Sequence, residues 1–356
     1  MSRSSTRRFG WVLVAALGLW AAAAPAQELR YRYVSLDEIE LPPGFLFFDP
    51  VAINNSGRIY GNAYECFTVA CDSFLLPHVA IYADGVVTVL QPGLVNTVNE
   101  GNTMAGSVLV DPANFIEQAA LFRGDQVELV PRQPGEFSSA VTALNDSGMA
   151  LVTSFDANFQ PTYVLYKNGL SMTLDFGPTV TNPFRLGINN QGIVSGTQGI
   201  TICDGATGFR FDTRTGATTL LHPLSTKPAA WGLDINNRGD VLGYSFVCGG
   251  VERIGVWDGH GKFRTYFVGG TPEFPTISNE LQFNDNNLIV ITLVSSPASD
   301  RMKSYVVPKP GVRLDVADLV GNLPAGVDLS FIRDINNHGD MIGFGFLLKR
   351  IGSGEH

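Results

Sequence analysis

A hydrophobic residue, then Asn, then Gly or Asn three positions further on recurs seven times along this chain. The copies are Ile53-Asn54-Asn55-Ser56-Gly57, Val98-Asn99-Glu100-Gly101-Asn102, Leu144-Asn145-Asp146-Ser147-Gly148, Ile188-Asn189-Asn190-Gln191-Gly192, Ile235-Asn236-Asn237-Arg238-Gly239, Phe283-Asn284-Asp285-Asn286-Asn287 and Ile335-Asn336-Asn337-His338-Gly339. Asn suits the first position of a type I turn, and Gly and Asn best tolerate the positive φ that closes it into a bulged hairpin. Each motif therefore predicts two antiparallel strands rather than a helix. Seven residues after the anchor Asn stand Gly61, Gly106, Gly196, Gly243 and Gly343, with Val152 and Ile291 in the other two copies. Glycine inside a strand predicts a bulge or a close backbone approach, here the crowding of neighbouring blades.

A second, looser hairpin lies within each repeat, as in Val79-Ala80-Ile81-Tyr82 before Asp84-Gly85 or Tyr163-Val164-Leu165-Tyr166 before Asn168-Gly169, followed by strands such as Val86 to Leu90 and Ala217 to Leu221. Two hairpins make four strands. The anchors are 45, 46, 44, 47, 48 and 52 residues apart, and four strands in that length is one propeller blade. The expectation is an all-β, seven-bladed β-propeller of about 45 residues per repeat. The strand-like stretch Leu29 to Leu36 has no hairpin of its own, and the last anchor is followed only by Met341 to Lys349. The N-terminal strand is thus expected to close the last blade and remove an exposed edge. In this phase the strand leading into each anchor is the innermost, facing a central channel.

Composition agrees: 39 Gly and 20 Pro suit many turns, 23 Phe suit strands, and no helical periodicity appears after the first segment. The Gly/Pro-rich stretches Leu90 to Val95 and Val268 to Pro275 read as connections between blades. Residues 1–26 read as a cleavable export signal. Arg3, Arg7 and Arg8 precede the apolar run Trp11 to Ala24, and Ala24-Pro25-Ala26 is a small-residue cleavage site before Gln27. That run is short for a membrane span. Residues 27–356 are then a single propeller domain, secreted or periplasmic. Without the signal, 21 Lys and Arg face 33 Asp and Glu, a net charge of −12. Such an acidic chain disfavours nucleic acid and anionic membranes as partners.

Four cysteines in an exported chain predict disulfides. Cys203 and Cys248 fall in equivalent loops of adjacent repeats, and Cys66 and Cys71 could close a small loop in the first. Three pairings are open, with a zinc site as the competing use of these thiols.

The repeat resembles that of the bacterial extracellular HAF-repeat family, named for a His-Ala-Phe tripeptide before the second turn. Ile188 to Gly196 and Ile235 to Gly243 match the first half of that repeat, while His78 to Tyr82 and Ala120-Leu121-Phe122 echo the tripeptide. The resemblance covers nearly all of residues 27–356 and identifies a divergent member. It implies no established activity or catalytic residues.

Chemistry is sparse. Most anchor turns carry one carboxylate or none, too few for calcium. The histidines His78, His222, His260, His338 and His356 are scattered. Two residues before the anchors stand Ala52, Thr97, Ala143, Gly187, Asp234, Gln282 and Asp334. If those strands line the channel, Asp234 and Asp334 are the candidate acid and base for hydrolysis or elimination on a sugar, with Gln282 a candidate binding residue. The alternative use of these polar groups is to bond inner-strand backbone or channel water. The reading reached is a monomeric binding or interaction module for a protein, peptide or glycan, with no cofactor and no metal. The alternative is a glycan-directed hydrolase or lyase working in the central funnel.

Overall fold

A computed structural model describes residues 29–66, 75–199, 206–222, 224, 229–246, 252–269, 276–296 and 299–352. The fold is all-β. The 3-10 turn Ala317–Leu319 is the one helical element among the described residues. Each anchor joins two antiparallel strands, and each looser turn adds two more, as in Phe45–Ile53, Ile59–Cys66, Leu75–Ala83 and Val86–Pro92. The last unit has three strands of its own, Ile332–Ile335, Met341–Gly343 and Phe346–Arg350. Its fourth is the N-terminal strand Tyr31–Ser35, which pairs antiparallel with Phe346–Arg350 from Tyr31↔Arg350 to Ser35↔Phe346.

Among the described residues six sheets result rather than seven. Units four and five merge into one eight-stranded sheet because Thr207 makes a parallel bridge to Ala230. The connection expected over Leu90 to Val95 also shrinks to Gly93, since strands run to Pro92 and resume at Leu94. A Cβ at Gly93 would strike the Phe122 ring at 2.8 Å, so the turn has no room for a side chain.

The core lies between sheets. Among the described residues seven apolar clusters form, six shared by two consecutive units and the one between units five and six reaching Ala206 of unit four as well. The period-two alternation of a strand explains this. In Ile289–Ser296, for example, Ile289, Ile291 and Leu293 face the fifth unit, whereas Val290 and the preceding Leu288 face the last. Strands buried on both faces read as near-continuous apolar runs, which is how this one reads. Leu36, Ile342 and Leu347 share a cluster with Phe48, Ile59 and Tyr82, so the last unit packs on the first.

The bulges stand where the glycines predicted them; neighbouring units crowd at Gly196, whose carbonyl oxygen a Cβ on Gly232 would meet at 3.0 Å, but the closest approach at Gly61, Gly106 and Gly243 comes from within the unit. Each of the seven anchor-leading strands slips register close to its anchor, at Pro50/Ala52, Val95/Thr97 and Gly232/Asp234 for instance. At that slip the strand's own carbonyl leans onto the facing glycine. A Cβ on Gly61, Gly106 or Gly243 would lie 2.1, 1.9 or 1.7 Å from the carbonyl oxygen of Asp49, Leu94 or Trp231.

Candidate functional site

The anchor turns gather at one end of the channel, and their hydrogen bonds follow one plan. The N–H of the residue three positions on bonds back to the anchor carbonyl, as Gly57 does to Asn54 at 3.0 Å. The anchor side-chain oxygen accepts the N–H four residues on in every copy and, in five, also the N–H two residues on, as Asn189 does from Gln191 and Ile193 at 3.0 Å each; Asn145 takes the Ser147 hydroxyl instead. Asn102 and Asn287 replace glycine at the fourth position with φ of 61° and 56°.

The side-chain amide of each anchor then reaches the next unit. Asn336, Asn99, Asn145, Asn189 and Asn284 donate to the carbonyl oxygens of Asn54, Asn145, Asn189, Asn236 and Asn336 at 2.8–3.1 Å. Where the next turn carries Asn in place of glycine, the side chain of that Asn intercepts the bond: Asn54 donates to Asn102 and Asn236 to Asn287, both at 2.9 Å. The seven bonds form a circuit that returns to its start. A second circuit runs beside it, in which the N–H of Asn55, Glu100, Asp146, Asn190, Asn237, Asp285 and Asn337 each donates to the side-chain oxygen of its successor at 2.7–2.9 Å. Sequence reasoning took these residues as plain turn formers. Their signal was an acid or amide directly after every anchor. Glu100 is held above the usual carboxylate range, chiefly because it is desolvated, with the Asn55 N–H opposing.

These residues line a mouth of about 220 Å³. Beyond it, residues from the anchor-leading strands of all seven units line a cavity of about 330 Å³ that contains Asp234, Gln282 and Asp334. The channel phase expected from the sequence therefore places these three side chains in one space. Both volumes sit at or below the small end of ligand sites.

The carboxylates are engaged with backbone. Asp334 accepts the N–H of Ile335 at 2.8 Å and, with its other oxygen, that of Ile53 at 2.8 Å, bridging the last unit to the first. Asp234 accepts from Ile235 at 2.7 Å. Gly187 makes room for it, since a Cβ there would lie 3.2 Å from Asp234 Oδ1. Desolvation pushes Asp234 up to about 7, with Asp334 adding repulsion, against the Ile235 N–H. Desolvation pushes Asp334 up to about 6 against its two N–H donors. Both groups thus keep protons that the unfolded chain releases near 3.8. Their stabilising contribution is complete below about pH 4 and is lost as pH rises through about 6 and 7. We expect a higher melting temperature at pH 5 than at pH 8, and Asp234→Asn to remove much of that difference by raising stability at pH 8 on the order of 2 kcal/mol. Calorimetry at both pH values tests this, and an unchanged pH profile in the variant would refute it.

Among the described residues, no three His, Cys, Asp or Glu side chains converge as a metal-ligand set. His260 and His338 are exposed, while His78 pairs with Glu65 at 2.9 Å. Cys66 ends its strand and is no free thiol, whereas Cys71, Cys203 and Cys248 lie outside the described residues. The export signal over 1–26 lies outside them too. No described helix is long and apolar enough to cross a membrane.

The opposite end of the channel carries the hairpin tips between second and third strands. Three tips are described, and each exposes a phenylalanine: Phe115, Phe159 and Phe344, at 55%, 71% and 58%. Phe115 and Phe159 hold φ of 55° and 58°, a conformation that costs a bulky residue about 1 kcal/mol or more. Phe47 stacks on Tyr64 at 4.8 Å beside the exposed Leu46 and Leu75, and Phe137 meets Phe159 edge-on at 6.2 Å. Sequence reasoning missed these aromatics, although Asp111-Pro112-Ala113-Asn114-Phe115 and Asp156-Ala157-Asn158-Phe159 repeat one motif in adjacent units.

No family model and no curated protein matches the chain. Solved structures do. The β-propeller domain of the trilobed protease from Pyrococcus furiosus, which has an open velcro topology, aligns over 87% of this chain and 96% of its own at 8% identity, TM-score 0.56. An oligogalacturonate lyase in complex with manganese aligns over 81% of this chain and 84% of its own at 11% identity, TM-score 0.53. The fold is a β-propeller. TolB from Acinetobacter baumannii also aligns, at 13% identity over 84% of this chain and 81% of its own, TM-score 0.43. At these identities the similarity is one of fold.

Proposed function

We propose that this protein is an exported seven-bladed β-propeller, residues 27–356 after loss of a signal over 1–26, that works as an interaction module through its hairpin-tip face. The observation that carries the reading is the contrast between the two ends of the channel. At the turn end the polar groups are spent on two hydrogen-bond circuits, whereas the tip end holds exposed phenylalanines at a conformational cost. Strain kept at a solvent-facing aromatic points to recognition.

The seven-blade count is supported by the seven shared core clusters and by both circuits returning to Asn54 and Asn55. The Tyr31–Ser35 strand closes the last blade on this reading. We place the chain as a divergent HAF-repeat protein, monomeric, secreted or periplasmic, with disulfides Cys66–Cys71 and Cys203–Cys248. Peptide mapping of the exported protein is expected to find Gln27 as the first residue and these two pairs, and a different pairing would overturn the scheme.

The glycan hydrolase or lyase reading is weakened because Asp334 has both carboxylate oxygens on backbone N–H groups. The deciding experiment screens the protein against arrays of purified envelope proteins and glycans, and retests each hit for product. Hits bound unchanged, and lost when Phe115 and Phe159 are replaced, support the module. A hit consumed over time in an Asp334-dependent way would establish the enzyme instead.

A further inference from the structure

The tips of units two and three form a single built surface. Glu117, two residues after Phe115, is tied to the first strand of unit three: its N–H and carbonyl both meet Ser138 Oγ at 3.3 Å. Ala119 N–H donates to Ser139 Oγ at 3.0 Å. Phe137, next to Ser138, then contacts Phe159 edge-on. The two exposed rings are therefore carried on laced strands and not on independent loops.

Each tip is also locked from behind. Asp111 Oδ1 accepts the N–H of Ala113 and Asn114 at 3.1 and 3.3 Å, and its Oδ2 takes the Asn114 side chain at 2.8 Å. Asp156 Oδ1 accepts from Asn158 and Gln160 at 2.8 and 2.9 Å. These bonds hold both carboxyls below the usual range, with the Asn114 side chain the main cause at Asp111 and the Gln160 N–H at Asp156. Glu117 bonds Ser107 Oγ, and Glu136 bonds Ser139 and Ser154. Arg132, over Gln118, is a basic residue beside this group.

The surface thus offers preset aromatic anchors over Asp111, Glu117, Glu136 and Asp156, with Arg132 beside them and the exposed Arg185 on the next unit's first strand. The polar groups of both turns bond within their own turns. Sites for small polar ligands are built from convergent polar groups, whereas aromatic anchors mark protein contacts. Carboxylates behind the rings select the charge of the partner.

We propose that the Phe115/Phe159 face is a docking surface for a basic protein segment, which seats apolar side chains on the two rings and sets Lys or Arg against the surrounding carboxylates. This rests on the interaction-module reading given above.

The test uses labelled peptides of alternating Lys and Leu, alternating Glu and Leu, and labelled cellohexaose, titrated by fluorescence anisotropy. The Lys-Leu peptide is expected to bind and to weaken as sodium chloride rises from about 0.05 to about 0.5 M. The double variant Phe115→Asn/Phe159→Asn should bind it at least about tenfold more weakly. Its melting temperature should equal or exceed that of the parent, because Asn accepts positive φ. Leu170→Asn, at an exposed site on an outer strand, should leave binding unchanged. A fall in melting temperature in the double variant would make the rings structural and overturn the proposal. Phenylalanine-dependent binding of the Glu-Leu peptide or of cellohexaose would overturn the partner's chemistry alone. No phenylalanine-dependent binding of any probe would overturn this proposal alone if the array screen still returns phenylalanine-dependent hits, and would remove the interaction module together with it if the screen returns none.

Discussion

Gly243→Ala will cost more than about 4 kcal/mol or prevent folding altogether. The added methyl would sit 1.7 Å from the Trp231 carbonyl oxygen, 2.8 Å from its carbon and 3.0 Å from the Trp257 ring. None of these can move cheaply. The carbonyl belongs to the bulge that turns this strand toward its anchor, and Trp257 is fully buried. Relief would need the ladder from Ala229↔Phe246 to Ile235↔Val241 to shift as a whole. Gly259→Ala is the matched control, because its nearest foreign atom lies 4.0 Å from the new Cβ. It should fall within about 0.5 kcal/mol of the parent. Urea unfolding of both variants checks the contrast, and similar midpoints would mean that the bulge yields.

Asn336→Ala is expected to cost about 3 to 5 kcal/mol. This buried side chain accepts from His338 and Asp340 N–H at 3.0 and 2.9 Å and donates to Asn54 O and Asp340 Oδ2 at 3.1 Å each. Truncation strands buried donors and acceptors, and the cost is their lost solvation. It also opens the first circuit where residues 282 apart in sequence meet. Asn336→Asp keeps the acceptor half but turns a carboxylate oxygen toward both the Asn54 carbonyl and Asp340 Oδ2, each 3.1 Å from the amide it replaces, so its loss should equal or exceed that of Ala. A most stable parent, with Asp no better than Ala, is the expected order in chemical unfolding. A loss below about 1 kcal/mol for Ala would mean that water replaces these bonds.

What could be read from the sequence was local. The Asn-to-Gly spacing specifies the turn through short-range bonds, and Asn102 and Asn287 take the positive φ their position demanded. The unpaired strand at one end and the incomplete unit at the other likewise implied their pairing. The channel positions of Asp234, Gln282 and Asp334 followed from the phase of the repeat. Their roles did not follow. That Asp334 bonds the N–H of Ile53 depends on how the last unit is rotated against the first, which no local rule contains. The second circuit was hidden for the same reason, since each of its bonds spans 44 to 52 residues or the full ring. Strand glycines were read as contacts between blades, which holds at Gly196 against Gly232, whereas at Gly61, Gly106 and Gly243 the close atom belongs to the partner strand of the same hairpin. The Asp-Ala-Asn-Phe tips escaped notice because they fall between the anchors, where the repeat imposes no register.

The pairing of Tyr31–Ser35 with Phe346–Arg350 has a consequence in time. A chain that emerges from its N-terminus presents one of the first strands it makes long before the partner of that strand exists. Earlier units can assemble in order against one another, but the final sheet waits for Phe346–Arg350 to arrive. Until then the leading segment is an open edge able to pair with other copies. Premature termination near residue 340 would therefore harm both ends of the molecule at once.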